Sequence, residues 1–253
     1  MNIILLLPKD QIGPKRYFLS GLRANHIKEI LKLNVNDTLE IGLLNGPLGK
    51  AKINKINDDG VVLELTEIFT EPVSGTNLTL ICALPRPQTL KKVLSVSAAM
   101  GVNTIHFIKT NRVQKSYFQS TLIKGNNYFR YLLDGLSQGK RTRLPQVYFH
   151  KRFKEFFQEI LPVYNNSSNE ITLKLLAENS SENYLTGIYN NSFAKLILAI
   201  GPEGGWIPFE INYMQELGFI PFKLSESILR VESAVTAAIS QLELLINGKY
   251  QSN

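Results

Sequence analysis

Two turns near the carboxyl end hold residue types that do chemistry when the chain brings them together. The first is Gly201-Pro202-Glu203-Gly204-Gly205, which follows the apolar run Leu196-Ile-Leu-Ala-Ile200 and precedes Trp206. Three glycines in five residues let the backbone take positive φ and approach a ligand with no Cβ in the way. An uninterrupted apolar run reads as a buried parallel strand, and ligands bind at the carboxyl edge of such sheets. Taken alone, the segment reads more readily as a tight strand-to-helix turn with no ligand. The second turn runs through Leu224, Ser225, Ser227, Ile228 and Leu229 to Arg230 and Glu232, a cation and a carboxylate that flank a helix start. Alone, that pair reads as a surface ion pair with a favourable N-terminal acid. None of the 17 glycines forms a Gly-x-Gly triplet, and there is no Gly-Lys-Ser/Thr and no Gly-x-Ser-x-Gly. Dinucleotide, P-loop and serine-hydrolase chemistries therefore have no support. With one cysteine and with His26, His106 and His150 far apart in the chain, no metal-ligand spacing appears.

The elements that must position these turns alternate. After residue 77, strands are expected at 78–84, 103–108, 172–177, 195–200 and 219–224, with helices at 88–100, 117–138, 208–217 and 231–246. This rhythm indicates an α/β domain with a largely parallel sheet. Residues 1 to about 70 read differently, as short strands at 3–7, 38–44, 50–56 and 60–69, with Asn45-Gly46-Pro47 and Asp58-Asp59-Gly60 as turns. Ser20 is positioned to cap one helix from Leu22 to Leu31, with Leu22, Ile27, Ile30 and Leu31 facing inward. Several short strands and one helix suggest a small barrel. Residues 70–76 are the expected linker, and 164–170 and 178–193 are expected loops.

Composition bounds the rest. The 253 residues are 44% hydrophobic and 19% charged, ordinary for a globular protein. The run Ile3–Leu7 stops at Pro8 and reads as a strand, with no basic leader or cleavage site of a signal peptide and no membrane span. Lone Cys82 sits in an apolar run and reads as core, which fits a reducing, cytoplasmic setting. From Lys109 to Lys154 there are eleven Lys and Arg against a single acid, Asp134, so this segment is strongly basic within a chain of net charge +7. Clustered cations suit a phosphate-rich partner, or form an ordinary solvated face.

Together the two turns are more specific. Gly-Pro-Glu-Gly-Gly some twenty residues before Ile228-Leu-Arg-Val-Glu-Ser-Ala234 resembles the SPOUT class of knotted methyltransferases, and within it the 16S ribosomal RNA uridine N3-methyltransferase family, ribosomal RNA small subunit methyltransferase E. The resemblance spans nearly the whole chain, through Asn25 to Leu33, Asn45-Gly-Pro-Leu-Gly49, Met100-Gly-Val102, Thr110-Asn-Arg-Val-Gln-Lys115 and Gln138-Gly-Lys-Arg141 near Pro145. Departures are Ser225 for a Gly, Ser227 for an Arg, Val231 for a Thr, and Ala99-Met100-Gly101 for Glu-Leu-Gly.

The resemblance implies an α/β fold: a PUA-like β-barrel over 1–72 and a trefoil-knotted domain over 73–253. It implies S-adenosylmethionine as cofactor, held by Leu176, Ala177, Ile200, Gly201, Pro202, Glu203, Gly204, Gly205, Leu224, Ser225, Ser227, Ile228 and Leu229. It implies methylation of a uridine N3 in 16S rRNA of the small ribosomal subunit, with Glu232 or Glu203 as proton acceptor and Arg230 stabilising charge. Arg112, Lys115, Lys140, Arg141 and Arg143 are the implied RNA contacts, with Tyr117, Tyr128 and Phe129 either stacking on bases or in the core. A homodimer is implied, with no metal and no membrane. Two alternatives stay open: a knotted methyltransferase of another specificity, for ribose 2′-O or a transfer-RNA base, and a non-catalytic RNA-binding assembly protein.

Overall fold

In the computed structural model of the chain, residues 2–70, 77–165, 171–189 and 193–247 are described. The expected linker therefore lies outside the described residues from 71 to 76, and so does most of the 164–170 loop.

The amino-terminal unit carries β1 (Ile4–Leu6), β2 (Gln11–Gly13), β3 (Arg16–Leu19), α1 (Gly21–Asn25), β4 (Thr38–Leu43), β5 (Leu48–Ile56) and β6 (Val61–Thr70). They form one six-stranded sheet in the order β1-β4-β5-β6-β3-β2, antiparallel except for the parallel β1–β4 pair. Register shifts between β5 and β6 bend the sheet around its own small core. The edges β1 and β2 do not pair, so the sheet stays open. The helix differs from expectation. It is α-helical only to Asn25 and continues as a π-turn over His26–Ile30. Ile27 is buried as expected and Ala24 with it, whereas Leu22 is exposed and the change of pitch leaves Ile30 and Leu31 in solvent. Ser20 occupies the cap position without making a side-chain hydrogen bond.

The second unit carries β7 (Leu78–Ala83), α2 (Pro87–Ala99), β8 (Thr104–Ile108), α3 (Phe129–Gly139), β9 (Gln146–His150), α4 (Phe153–Glu155), α5 (Leu161–Asn165), β10 (Thr172–Ala177), α6 (Leu185–Ile188), β11 (Lys195–Ile200), α7 (Pro208–Glu216), β12 (Ile220–Phe222) and α8 (Val231–Asn247). Its sheet is wholly parallel, in the order β12-β10-β11-β7-β8-β9. The apolar runs bury on both faces, as parallel strands must. The expected long helix at 117–138 is broken: two short 3₁₀ turns precede α3, because Gly125 and Asn126 take left-handed φ of +80° and +58°. Edge strand β9 and the helical stretch from Phe153 were not anticipated, and the expected 178–193 loop contains α6.

Strand β1 joins the two units through the two-residue period of a strand. Ile4 and Leu6 enter the amino-terminal core, while Ile3 and Leu5 enter the core of the second unit. Thr142 Oγ1 donates to the Gly46 carbonyl at 2.6 Å, and Lys140 pairs with Glu40 across the same seam. Among the described residues, no helix is long and apolar enough to cross a membrane.

Candidate active site

Strands β12, β10 and β11 lie side by side and parallel, so the turns that follow them emerge on one edge. Those turns enclose a cavity of about 330 Å³. Of the residues the sequence pointed to, Ala177, Ile200, Gly201 through Gly205, Leu224, Ser227, Ile228 and Leu229 line it. Leu176 does not: it is fully buried within the sheet, its neighbour Ala177 facing the cavity instead. Ser225 stands behind the wall, its Oγ accepting the Ser227 N–H at 3.2 Å and so shaping the turn. Glu178, Asn179, Trp206, Val231, Ala234 and Arg112 also line the cavity. The signal for Trp206 and Val231 was their place beside the motifs. Nothing local signalled Arg112 as a cavity residue.

The glycines are there because neighbours need the room. A Cβ on Gly201 would stand 3.1 Å from the Trp206 indole nitrogen, and one on Gly204 would stand 3.1 Å from Arg112 Cδ. Gly205 has a φ of +73°, which L side chains rarely adopt. Trp206 Nε1 donates to the Ala177 carbonyl at 3.2 Å, joining the glycine turn to the turn after β10. Arg112 donates to the carbonyls of Gly204 and Gly205. Gln241 of α8 donates to the Leu224 carbonyl at 3.1 Å, fixing the turn after β12. Behind the glycine turn, buried Glu210 accepts the Asn111 and Ile207 N–H groups at 2.7 and 3.1 Å.

A second hollow of about 510 Å³ adjoins the first and shares Glu203, Ile228, Leu229 and Val231 with it. Its polar wall brings together Arg230, Glu232 and Glu203, and adds Arg86, Thr89 and Lys92 of the α2 region. Lys92 Nζ lies 3.1 Å from Glu232 Oε1, and the Arg86 N–H donates to Glu203 Oε1 at 3.3 Å. The Glu232 carboxyl is held below the usual carboxylate range first by the amide of its own residue at the helix start, an effect that burial opposes and that Lys92 and then Arg230 reinforce. Such a group is ionised at neutral pH and has little appetite for a proton. Burial, followed by the Glu203 charge, pushes the Cys82 thiol well up, so it stays protonated in the core.

The expected RNA contacts are dispersed. Arg112 lines the cavity, and Lys115 and Arg143 are exposed outside it. Lys140 is paired with Glu40, and the Arg141 guanidinium lies 3.1 Å from where a Gly101 Cβ would stand, with Nη1 buried and unpartnered. Tyr117 and Tyr128 pack on the core, whereas Phe129 is partly exposed. The histidines, far apart in sequence, do not all stay apart: His106 Nδ1 and His150 Nε2 are 2.9 Å from each other on adjacent strands. Among the described residues, no three His, Cys, Asp or Glu groups gather as a metal site would require.

Residues 72–243 match the RNA methyltransferase domain family. A ribosomal RNA small subunit methyltransferase E 1 of Borreliella burgdorferi is 31% identical over 233 residues, covering 90% of this chain and 93% of the relative. One of the same family from Treponema pallidum is 27% identical, covering 94% and 89%. Two solved structures share the fold, with TM-scores of 0.77 and 0.75 and identities of 21% and 19%. They are a Legionella pneumophila methyltransferase in complex with SAM and a Neisseria gonorrhoeae ribosomal RNA small subunit methyltransferase E bound to S-adenosyl methionine. Each covers 96% of this chain, which in turn covers 98% of each of them. A cavity at the carboxyl edge of a parallel sheet, both signature turns in its wall and this extent of likeness lead to one conclusion: the chain belongs to the ribosomal RNA small subunit methyltransferase E family.

Proposed function

We propose that the chain transfers a methyl group from S-adenosylmethionine to N3 of a uridine in 16S ribosomal RNA, acting on the small ribosomal subunit in the cytoplasm. The observation that carries this reading is the junction of two hollows: a glycine-walled cavity opens, through Ile228, Leu229 and Glu203, onto a space lined by Arg86, Lys92 and Arg230. The first suits the cofactor. Its volume lies within the range of small-molecule sites, its glycines expose main-chain groups, and Ile200, Leu224 and Leu229 offer apolar faces to a purine. When bound there, S-adenosylmethionine supplies an electrophilic methyl group.

The second hollow suits the uracil. Attack by N3 on the methyl carbon forms the N–C bond as the C–S bond breaks, and the N3 proton must leave beforehand or together with attack. Arg230 and Lys92 stabilise the negative charge that this creates on the uracil carbonyls. Glu232 is available as an ionised acceptor, and its lowered proton affinity makes it a weak one. Glu203, beside both hollows, is the other acid in reach. Electrostatic stabilisation and orientation thus carry more of the rate than general-base catalysis.

The same reading takes 1–72 as a PUA-like unit, its sheet an open half-barrel in place of the closed barrel expected, that extends the RNA footprint, and 73–253 as a trefoil-knotted domain. Convergence of three turns on one cavity, with α8 bonded to the last of them, supports the knot. Ile228 and Leu244, 84% and 71% exposed, supply apolar surface for a homodimer contact. The test is transfer of labelled methyl from S-adenosylmethionine onto undermethylated small subunits, followed by nucleoside mass spectrometry. We expect 3-methyluridine. A 2′-O-methyl product or a mark on transfer RNA instead would overturn the specificity, and no calorimetric heat with S-adenosylmethionine would overturn the enzyme reading.

A further inference from the structure

On the far side of the glycine turn lies another hollow, of about 290 Å³, that the methyl-transfer chemistry does not use. Lys109, Lys151 and Lys154 stand around it, and Phe153 and Phe209 form its apolar wall. Among the described residues, none of these lysines is paired with a carboxylate; Lys109 donates to the carbonyls of Thr110 and Val113. The acid in the wall, Glu210, is buried and engaged with two main-chain N–H groups, leaving the lysines to set the field. Phe209 is 49% exposed, with Lys154 Nζ 5.2 Å from its ring centre and Tyr213 stacked 5.8 Å behind it. Thr110, part of the same wall, is buried with an unpartnered hydroxyl.

An aromatic face half in water, backed by a second ring and ringed by unpaired cations, has the chemistry that takes a nucleobase with its phosphate. Its place is telling as well. Arg112 leans over the cofactor cavity, while Lys109, Thr110 and Asn111 of the same short turn line this hollow. Resting on the RNA methyltransferase reading, we infer that this hollow holds a second, single-stranded nucleotide of the substrate RNA, its base against Phe209 and its phosphate among the three lysines. A strand gripped there and at the target residue is fixed on both sides of the glycine turn.

The test uses the full chain with two substrates: undermethylated small subunits, and a fluorescein-labelled single-stranded RNA 12-mer followed by anisotropy. Phe209→Ala should raise KM for subunits and weaken 12-mer binding, each about tenfold, with kcat and S-adenosylmethionine affinity unchanged; Phe209→Tyr should restore both. Exposed Lys151→Gln and Lys154→Gln should each flatten the dependence of log K on log salt by about 0.7 if they meet a phosphate. Unchanged 12-mer binding and salt slope would overturn the inference. So would a loss of dimer in sedimentation without loss of RNA binding, which would make Phe209 a contact between copies. An equal fall in S-adenosylmethionine affinity would instead place Phe209 behind the glycine turn. If wild-type chain methylates no RNA, the methyl-transfer reading fails, and 12-mer binding still judges the hollow.

Discussion

Lys92 of α2 and Glu232 in the first turn of α8 form an ion pair, Nζ to Oε1 at 3.1 Å, across the hollow that Arg230 also lines. The pair ties together two helices that flank the proposed uracil site and adds to the hold that the main-chain amide of Glu232 has on the carboxylate charge. A lowered carboxyl pKa adds stability that is complete above the ordinary carboxylate range and is lost as pH falls through the lowered value. With Lys92 mostly exposed, that contribution is on the order of 1 kcal/mol or less. The pair therefore matters more for charge placement than for folding. Glu232→Gln should lower kcat by no more than about tenfold and leave the shape of the pH profile between 6 and 9 unchanged. Arg230→Met should lower kcat by about 10²-fold or more, as loss of a charge-stabilising group does. Labelled-methyl transfer at saturating substrate measures both. A Glu232→Gln enzyme that is dead at pH 7 and recovers at alkaline pH would make Glu232 the general base after all.

Gly205 gives a sharper test of the cofactor cavity. At φ +73° a side chain is strained, and Ala there should cost about 1 kcal/mol in stability. The turn would relax toward negative φ and carry the carbonyls that Arg112 holds away from their positions. Calorimetry should show S-adenosylmethionine affinity about tenfold weaker for Gly205→Ala. Gly187→Ala, where nothing lies within 4 Å of the added Cβ, is the control and should bind as wild type. Equal affinities for all three would remove the glycine turn from the site.

His106 and His150 show how a sequence separation of 44 residues can close to a 2.9 Å contact when two parallel strands are neighbours. His106 has no exposed surface, lies among Tyr148, Phe156 and Tyr164, and is pushed down to about 3 by burial and then by His150. His150 is also lowered by burial, partly offset by Glu155. Both rings are thus neutral in the folded chain, while the unfolded chain binds protons below about 6.5. The stability that neutral His106 contributes is complete above that value and falls as pH drops toward its lowered pKa, by about 1.4 kcal/mol per unit, and His150 adds a loss of the same sign. Melting temperature should drop by about 3–5 °C from this source between pH 7 and 5.5. The His106→Gln variant should show a shallower slope than wild type, and parallel slopes would refute the assignment.

What the sequence disclosed was what is local. The apolar runs of β7, β8, β10 and β11 and the two turns near the carboxyl end all stand where their residue patterns put them, because each rests on neighbours a few positions away. Contacts made at long range left no such trace. Arg112 reaches the carbonyl of Gly204, 92 residues on, and only the order of strands explains why. Edge strand β9 was missed although Gln146-Val-Tyr-Phe-His150 is rich in β-forming residues, and with it went the histidine pair. Of the inward face assigned to residues 22–31 only Ile27 is buried; Ile30 and Leu31 turn outward because periodicity assumed a uniform α-helical pitch, which the π-turn after Asn25 breaks.

The basic segment separates into two kinds of cation, and mutagenesis should tell them apart. Arg141 lies against Gly101 with one guanidinium nitrogen buried, so Arg141→Gln should lower the melting temperature by several degrees through lost packing and an altered seam. Arg143 and Lys115 are exposed. Their glutamine variants should leave melting unchanged, weaken binding to small subunits and flatten its salt dependence. Lys140 falls between: its pairing with Glu40 spans the two units, so Lys140→Gln should lose little stability, and reversal of both charges should restore wild-type melting. Differential scanning fluorimetry beside salt-titrated binding gives both readouts on each variant. If Arg141→Gln melts as wild type yet loses RNA binding, its guanidinium is an RNA contact and the packing role assigned to it here is wrong.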